Sequence, residues 1–321
     1  MIRIGSFKPD TNIFLAPLSG ISDLSFRKIC RQFGAGLCYF EMIDCNALIH
    51  GQNSPKVGEI LTTEDSDSPI AAQLLGSTPE QMLKAAIILL MKMPKIKYLE
   101  INAACPAKKV AKKKAGAHLL KEPRILGEII KLLSSELPLP ITVKLRVGFD
   151  HYFEKDFIET VKLCERSGAS ALFIHGRTRK QGYSGEVNYE AIKKAKAAVD
   201  LPVFGSGNIL DQGSMAKMFE LTGCDGITVA RGAMGNPWIF DGLNPDNVDL
   251  AKRIKVAKKH LGYMKKYRID GHTHNIGIMR KISILYLSSV PNATVVRSHL
   301  SEAKDYEELL EVIDLSPGIA G

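Results

Sequence analysis

Eight short apolar runs recur along most of this chain, and their near-unbroken apolarity does the most to limit how it can fold. They are "IFLAP" (13–17), "LCYFEM" (37–42), "PIAAQLLG" (69–76), "YLEINAACP" (98–106), "ITVKLRVG" (141–148), "ALFIHGRT" (171–178), "PVFGSGNI" (202–209) and "GITVARG" (226–232). Strands that are apolar throughout are buried on both faces, which calls for a parallel sheet covered by helices. Helical stretches separate most of the runs. "STPEQMLKAAIILLMK" (77–92) carries a capping box from Thr78 to Gln81, with Pro79 at the first helical position. "EKDFIETVKLCERSGAS" (154–170) keeps Phe157, Val161 and Cys164 on one face and stops at Gly168. Eight strand–helix units in about 240 residues match a (β/α)8 barrel of the TIM type. The alternative, a doubly wound open sheet, lacks the GxGxxG that would open a helix after the first strand.

The pattern stops after "NPWIFDGLNPDNVD" (236–249), which divides the chain into a barrel over 1–242 and a small C-terminal helical bundle over 243–321. In "AKRIKVAKKHLGYMKKYR" (251–268), Ile254, Ala257, Leu261 and Met264 share one helical face. Two further helical stretches are expected near 276–289 and 303–313. Between 252 and 281 there are ten Lys or Arg and a single acid, Asp270. Such a run is either a solvated face or a surface that tracks phosphates. The formal charge of +9 favours a polyanionic partner.

Other classes are disfavoured. No apolar run reaches the roughly 18–20 residues of a membrane span, and the N-terminus lacks the apolar core of a signal peptide, so the chain reads as cytosolic, cytoplasmic in location and monomeric. Six cysteines without CxxC spacing point to neither a disulfide framework nor a metal site.

In such a barrel the active site lies at the C-terminal ends of the strands. Those ends read "APLSG", "QLLG", "NAACP", then Lys144, "HGRTR", "GSGN" and "ARGA". Glycines in the last two loops let backbone amides approach a phosphate, and Arg231 adds a bidentate donor, so a phosphate-bearing ligand is expected in the mouth. The fourth end is unusual: Cys105 is followed within ten positions by Lys108, Lys109, Lys112, Lys113 and Lys114.

The segments "LAPLSGISDLSFRKIC", "QLLG", "EINAACPAKKV", "PITVKLRVG", "IHGRTRKQGYSG" and "CDGITVARGAMGNPWIF" together resemble the successive signatures of the tRNA-dihydrouridine synthases, the bacterial B-type most closely. The resemblance implies an FMN-dependent reductase that saturates the C5–C6 bond of selected tRNA uridines, with NADPH or NADH as electron donor. It puts Pro17, Leu18 and Ser19 on the flavin ring, Gln73 at its polar edge, Lys144 near its N1–C2 region and His175 beside it. Ser206, Gly207, Asn208, Ala230 and Arg231 would hold the ribityl phosphate. Cys105 matches the catalytic cysteine. Candidate substrate contacts are Glu41, Asn102, Arg177, Arg179, Tyr183, Lys112, Lys113 and Lys114, with Arg280 and Lys281 in the basic tail. The family more often has Gly at the position of Ala104, and Asn-Gly-Asp where this chain has Ser206-Gly207-Asn208.

The residue types suit the chemistry. Hydride arriving at C6 of uracil leaves enolate-like charge that needs a proton at C5. A free thiol, with an ordinary pKa of about 8.5, is mostly protonated at neutral pH and can give one. Lysines crowding the sulfur would favour thiolate, so they are expected to face RNA phosphates instead. Cys45 is the one rival to Cys105, while Cys30, Cys164 and Cys224 read as inert core thiols. The other readings are an FMN barrel acting on a free small molecule, such as a dihydroorotate-type dehydrogenase, an RNA-binding remnant without catalysis, and a Schiff-base aldolase using Lys144.

Overall fold

A computed structural model describes residues 2–267, 273–288 and 290–320. Arg268 and Asp270, within the basic run, lie outside the described residues. Among the described residues nine strands form: β1 (Ile13–Leu15), β2 (Cys38–Tyr39), β3 (Ile43–Asp44), β4 (Ile70–Leu75), β5 (Leu99–Ala103), β6 (Ile141–Arg146), β7 (Ala171–His175), β8 (Val203–Ser206) and β9 (Gly226–Val229). Their order is β1-β9-β8-β7-β6-β5-β4-β2, every pair parallel, with β3 joining β4 beyond β2. The Leu15 amide donates to the Leu37 carbonyl (2.9 Å) and the Gly36 amide to that of Ile13 (3.0 Å), drawing β2 against β1 and rounding the sheet into a barrel. All eight expected strands are present, the second split into β2 and β3.

Two apolar layers hold the ring. Outside, strand residues such as Leu15, Ile101, Val143 and Ile174 pack under the surrounding helices. Inside, the N-terminal end of the barrel is plugged by Phe14, Tyr39, Tyr98, Phe173 and Phe204. Phe204 stacks on Phe173 at 4.5 Å and on Phe14 at 4.9 Å between centroids. Each such ring removes about 150–250 Å² from water. Above the plug the inward positions turn polar: Gln73, Glu100, Asn102, Thr142, Lys144, Arg146 and Ser206. The strands are therefore apolar on their outer face and polar along the upper inner face, where the sequence pattern suggested apolar runs throughout. That inner face lines a cavity at the barrel's C-terminal end.

The helices start and stop for local reasons. Thr78 Oγ1 accepts from the Gln81 amide at the start of helix Pro79–Lys92, and the Gln81 side chain reaches back to the Ser77 amide (3.0 Å). Helix Glu154–Arg166 ends before Gly168, whose φ of +99° suits glycine. Beyond the barrel lie helices Leu250–Tyr267, Thr273–Tyr286, Ala293–Glu302 and Tyr306–Ala320. The third was not expected from the sequence. Ala257, Leu261 and Met264 are buried as anticipated, in a core that also takes in Trp238 and Ile29. Since Ile29 lies on the first barrel helix, Leu24–Gln32, the bundle core is continuous with the barrel's flank.

Candidate active site

The C-terminal ends of the strands enclose a cavity of about 200 Å³ that opens to solvent. Pro17, Leu18 and Ser19 line it after β1, Gln73 on β4, Asn102 and Cys105 on and after β5, and Lys144 on β6. His175 and Tyr183 line it on and after β7, Ser206, Gly207 and Asn208 at the end of β8, and Ala230 and Arg231 after β9. Every residue expected to touch a flavin therefore faces one cavity, together with Cys105.

Below it runs a continuous polar network. The Tyr98 and Tyr39 hydroxyls are hydrogen-bonded, and the Tyr39 hydroxyl donates to Glu100 Oε1 (2.8 Å). Gln73 Nε2 donates to Glu100 Oε2, and Asn102 Nδ2 donates to Gln73 Oε1 (2.6 Å). Asn102 Oδ1 accepts the amides of Ala104 (3.0 Å) and Cys105 (2.8 Å), which fixes the turn carrying the thiol. Burial holds the Glu100 carboxyl above its ordinary range, while Lys144 and the bonds from Gln73 and Tyr39 pull it back. Burial lowers the Lys144 ammonium, with Glu100 opposing that shift.

Cations converge on the mouth. Lys144 Nζ reaches Ser206 Oγ (3.4 Å). Arg146, fully buried, donates to the carbonyls of Ala104, Thr178 and Gly182 (each 2.8 Å), tying the Cys105 turn to the loop after β7. Burial brings its guanidinium down to about 10. His175 falls to about 2, first through burial and then through Arg146, Lys144, Arg177 and Arg231. It is therefore a neutral hydrogen-bonding group at physiological pH rather than an acid. Among the described residues, none of these four cations forms a salt bridge with a carboxylate. Positive charge left unpaired inside a cavity suits an anion.

The two glycine loops form the far wall. Gly207 has φ +128°, and Asn208 takes the left-handed φ of +50° that asparagine tolerates. A Cβ at Gly232 would lie 2.0 Å from the Ile209 carbonyl oxygen, so the loops after β8 and β9 touch backbone to backbone. Asn208 Oδ1 accepts from Arg231 Nη2 (3.3 Å), and the Arg231 guanidinium lies 4.7 Å from the centroid of the exposed Tyr183 ring. Thr228 Oγ1 is buried in this wall without a hydrogen-bond partner. Backbone-close loops, an arginine, buried cations and a spare hydroxyl fit a phosphate-bearing, polar-edged cofactor.

Cys105 is half-buried, whereas the other five thiols are buried. Burial pushes the rival Cys45 thiol well up, and Cys45 does not line the cavity. All five lysines after Cys105 are exposed, on and after the short helix Lys108–Lys112. Lys113 pairs with Asp44 (2.8 Å).

Several expected substrate residues lie elsewhere or do other work. Arg177 is buried and donates through Nε (3.0 Å) and Nη2 (2.8 Å) to the Gly185 carbonyl, so it braces the loop behind His175 rather than facing the cavity. Arg179 packs its guanidinium 5.0 Å from the Phe149 ring centroid. Glu41 accepts the Gly20 amide, which ties the second strand's end to the first loop. Arg280 donates to the Ala303 carbonyl (2.6 Å) inside the bundle, and Lys281 is exposed there. Conversely, Glu100, Arg146 and Thr228 were not anticipated. The period-two spacing of Glu100 with Asn102 along β5, and of Arg146 with Lys144 along β6, was the available signal.

Residues 14–317 match the sequence model of the family described as dihydrouridine synthase. The chain is 32% identical over 313 residues to tRNA-dihydrouridine synthase B of Pseudomonas aeruginosa, covering 95% of this chain and 92% of that one. It is 31% identical over 309 residues to the probable tRNA-dihydrouridine synthase of Aquifex aeolicus, covering 94% and 95%. Among solved structures, the old yellow enzyme homologue of Zymomonas mobilis aligns with a TM-score of 0.55 at 14% identity, over 74% of this chain and 89% of that one. That likeness is one of fold.

Proposed function

Because this chain belongs to the dihydrouridine synthase family, we propose that it reduces the C5–C6 bond of uridines in tRNA, using FMN held in the barrel mouth and NADPH as electron donor. The observation that carries the reading is Cys105: among the described residues it is the one cysteine at the cavity wall, which it lines together with Lys144 and His175.

Bound FMN would supply the hydride that adds to C6. Cys105 gives its proton to C5, so C6 gains hydride, C5 gains a proton, and the thiolate is reprotonated from solvent. Lys144 presents positive charge to the flavin edge, and neutral His175 offers a hydrogen bond without competing as an acid. Arg231, with the backbone of Gly207 and Asn208, holds the phosphate. A stacked uracil cannot reach the cavity, so the base swings out of the RNA, and exposed Tyr183 at the rim offers it a stacking face. Lys112 and Lys114, with Lys255, Lys259, Lys266 and Lys281 of the bundle, hold the RNA backbone without reading sequence. A tRNA substrate puts the protein in the cytoplasm. No helix among the described residues is long and apolar enough to cross a membrane, and no His/Cys/Asp/Glu cluster among them could hold a metal.

The test is an absorbance spectrum of the purified protein followed by nucleoside analysis of tRNA incubated with it and NADPH. A flavin band is expected, and dihydrouridine should form with wild type and fall by about 10²–10⁴-fold with Cys105→Ala, which removes the acid. A flavin band with no dihydrouridine from wild type overturns the tRNA assignment.

A further inference from the structure

We infer that Arg179 and Lys121, set around the Phe149 ring on the outer rim of the barrel mouth, bind a backbone phosphate of the RNA beside the nucleotide whose base enters the cavity. This rests on the tRNA reading proposed above and adds to it a second anion site, separate from Arg231 and the glycine loops.

Three neighbouring loops build the patch. Lys121 ends the 3-10 helix Gly116–Lys121 after β5, Phe149 follows β6, and Arg179 follows β7. Lys121 Nζ lies 4.9 Å and the Arg179 guanidinium 5.0 Å from the Phe149 ring centroid, with the His118 ring edge-on at 6.0 Å. The Arg179 amide donates to the Gly148 carbonyl and the Lys180 amide to that of Phe149 (each 2.9 Å), which clips the loops after β6 and β7 together. None of these side chains lines the cavity.

Arg179 differs from the arginines near it in the use of its donors. Arg146 and Arg177 give theirs to backbone carbonyls. Among the described residues the Arg179 side chain makes no hydrogen bond or salt bridge, its Nε is buried without a partner, and Lys121 pairs with no carboxylate either. An aromatic face orients a cation through its π electrons and uses none of its N–H groups. Phe149 therefore holds both cations in place with their donors free. Burying Arg179 Nε without an acceptor is unfavourable, and a nearby carbonyl would have removed that cost. Two like charges kept against one ring, with no carboxylate between them, suit an anion that both can reach. A guanidinium fork beside an ammonium matches phosphate oxygens.

Position decides which phosphate. The loop after β7 carries Arg179 and then Tyr183, which lines the cavity. The Gly116–Lys121 helix is tied to the catalytic turn, since the Cys105 carbonyl accepts the Ala117 amide (3.2 Å). A uridine whose base lies over Cys105 leaves its sugar–phosphate chain at the rim these loops form. Exposed Lys112, Lys114 and Lys180 continue the positive charge along the surface, as a polymer of phosphates requires and a single small anion does not.

The test is a titration of fluorescently labelled tRNA with the full-length protein over a range of salt, without electron donor. Arg179→Gln/Lys121→Gln should weaken binding by about tenfold, the value of one charge-assisted hydrogen bond. The slope of log affinity against log salt should fall by about 0.7, that of one phosphate on a single strand. The charge-keeping pair Arg179→Lys/Lys121→Arg should hold the wild-type slope. In dihydrouridine formation the glutamine pair should raise KM for tRNA with kcat unchanged, as loss of binding shared by ground and transition states does.

A glutamine pair with the affinity and slope of wild type overturns the inference. So does a charge-keeping pair whose slope drops as far as that of the glutamine pair, which would make the patch a packing element. Weakened NADP+ binding in the glutamine pair, with tRNA held as in wild type, would give the site to the electron donor and overturns it too. Should the glutamine pair fail to fold, exposed Lys121→Gln alone decides: a lowered slope supports the inference and the wild-type slope overturns it. If wild type binds tRNA yet makes no dihydrouridine, the functional reading falls and these titrations still decide the site. Wild type that binds no tRNA overturns both.

Discussion

The barrel mouth and the C-terminal bundle are both rich in lysine and arginine, yet they treat those charges in opposite ways. Lys144, Arg146 and Arg231 in the mouth, with Arg177 behind it, converge around His175, and none has a carboxylate within salt-bridge distance among the described residues. Arg146 and Arg177 spend their donors on backbone carbonyls, which position them without cancelling their charge. In the bundle, Lys258 pairs with Asp314 and Lys265 with Glu307, each at 2.8 Å. Buried Arg253 donates to the Val248 carbonyl (3.0 Å) as a packing element. Charge kept unpaired inside a cavity is available to a ligand, while charge paired in water adds little to either binding or stability. The density of lysine in a sequence therefore does not separate the bundle's paired Lys258 and Lys265 from its exposed Lys255, Lys259, Lys266 and Lys281, nor either set from the cations inside the mouth.

That contrast can be broken or sharpened by experiment. The largest effect is expected from Arg231→Ala, which should weaken FMN binding by about 10–100-fold, the value of a charge-assisted hydrogen bond. Fluorescence titration of flavin-stripped protein measures it, and unchanged affinity would show that the mouth's charge is not reserved for the phosphate.

Next comes pH. Folded His175 has its pKa lowered to about 2, whereas an unfolded histidine titrates near about 6.5. The unfolded chain takes up the extra proton, so this contribution to stability is complete above about pH 6.5 and is lost as pH falls from there toward about 2. Between pH 7 and pH 5 the loss amounts to up to about 2 kcal/mol. Urea unfolding of His175→Gln at those two pH values should show a smaller decline than wild type; an equal decline would mean that burial and the surrounding cations do not keep His175 neutral.

Smaller again is the double change Lys112→Ala/Lys114→Ala, which should reduce the slope of log affinity for tRNA against log salt by about one to two. NADPH oxidation should be untouched. An unchanged slope would turn those lysines into a plain solvated face. The smallest effect belongs to Lys258→Ala, expected to cost less than about 1 kcal/mol in thermal or urea unfolding, with no change in the salt slope. A large loss of tRNA affinity there would put the paired bundle lysines on the RNA path after all.

Much of this was legible in the residues. The eight strands, the capped helix after β4, the buried face of Leu250–Tyr267 and the cavity position of Cys105 all follow from local pattern and loop chemistry. The missed residues share a cause. Glu100 and Arg146 sit in runs whose outward-facing neighbours, Leu99, Ile101, Val143 and Leu145, are fully buried, so the runs look apolar while alternate positions carry the polar interior of the barrel. Helix Ala293–Glu302 went unseen because Val296 and Leu300 are its only buried residues. Arg177 was expected at the substrate because it follows His175 closely; its actual partner, the Gly185 carbonyl, comes from a loop folding back on itself.

The sequence by itself determined the elements, because each depends on residues a few positions apart whose spacing selects strand, helix or turn. It also determined which chemical groups end the strands. What only the tertiary structure decided is which groups meet. Parallel register sets Asn102 beside Lys144, Arg146 beside His175 and His175 beside Ser206, each pair drawn from different strands far apart in the chain. Closing the ring then places Glu100, Gln73 and Tyr39 within hydrogen-bonding distance. Those encounters depend on the stagger and curvature of the whole barrel, a property of all the strands at once that no local stretch encodes.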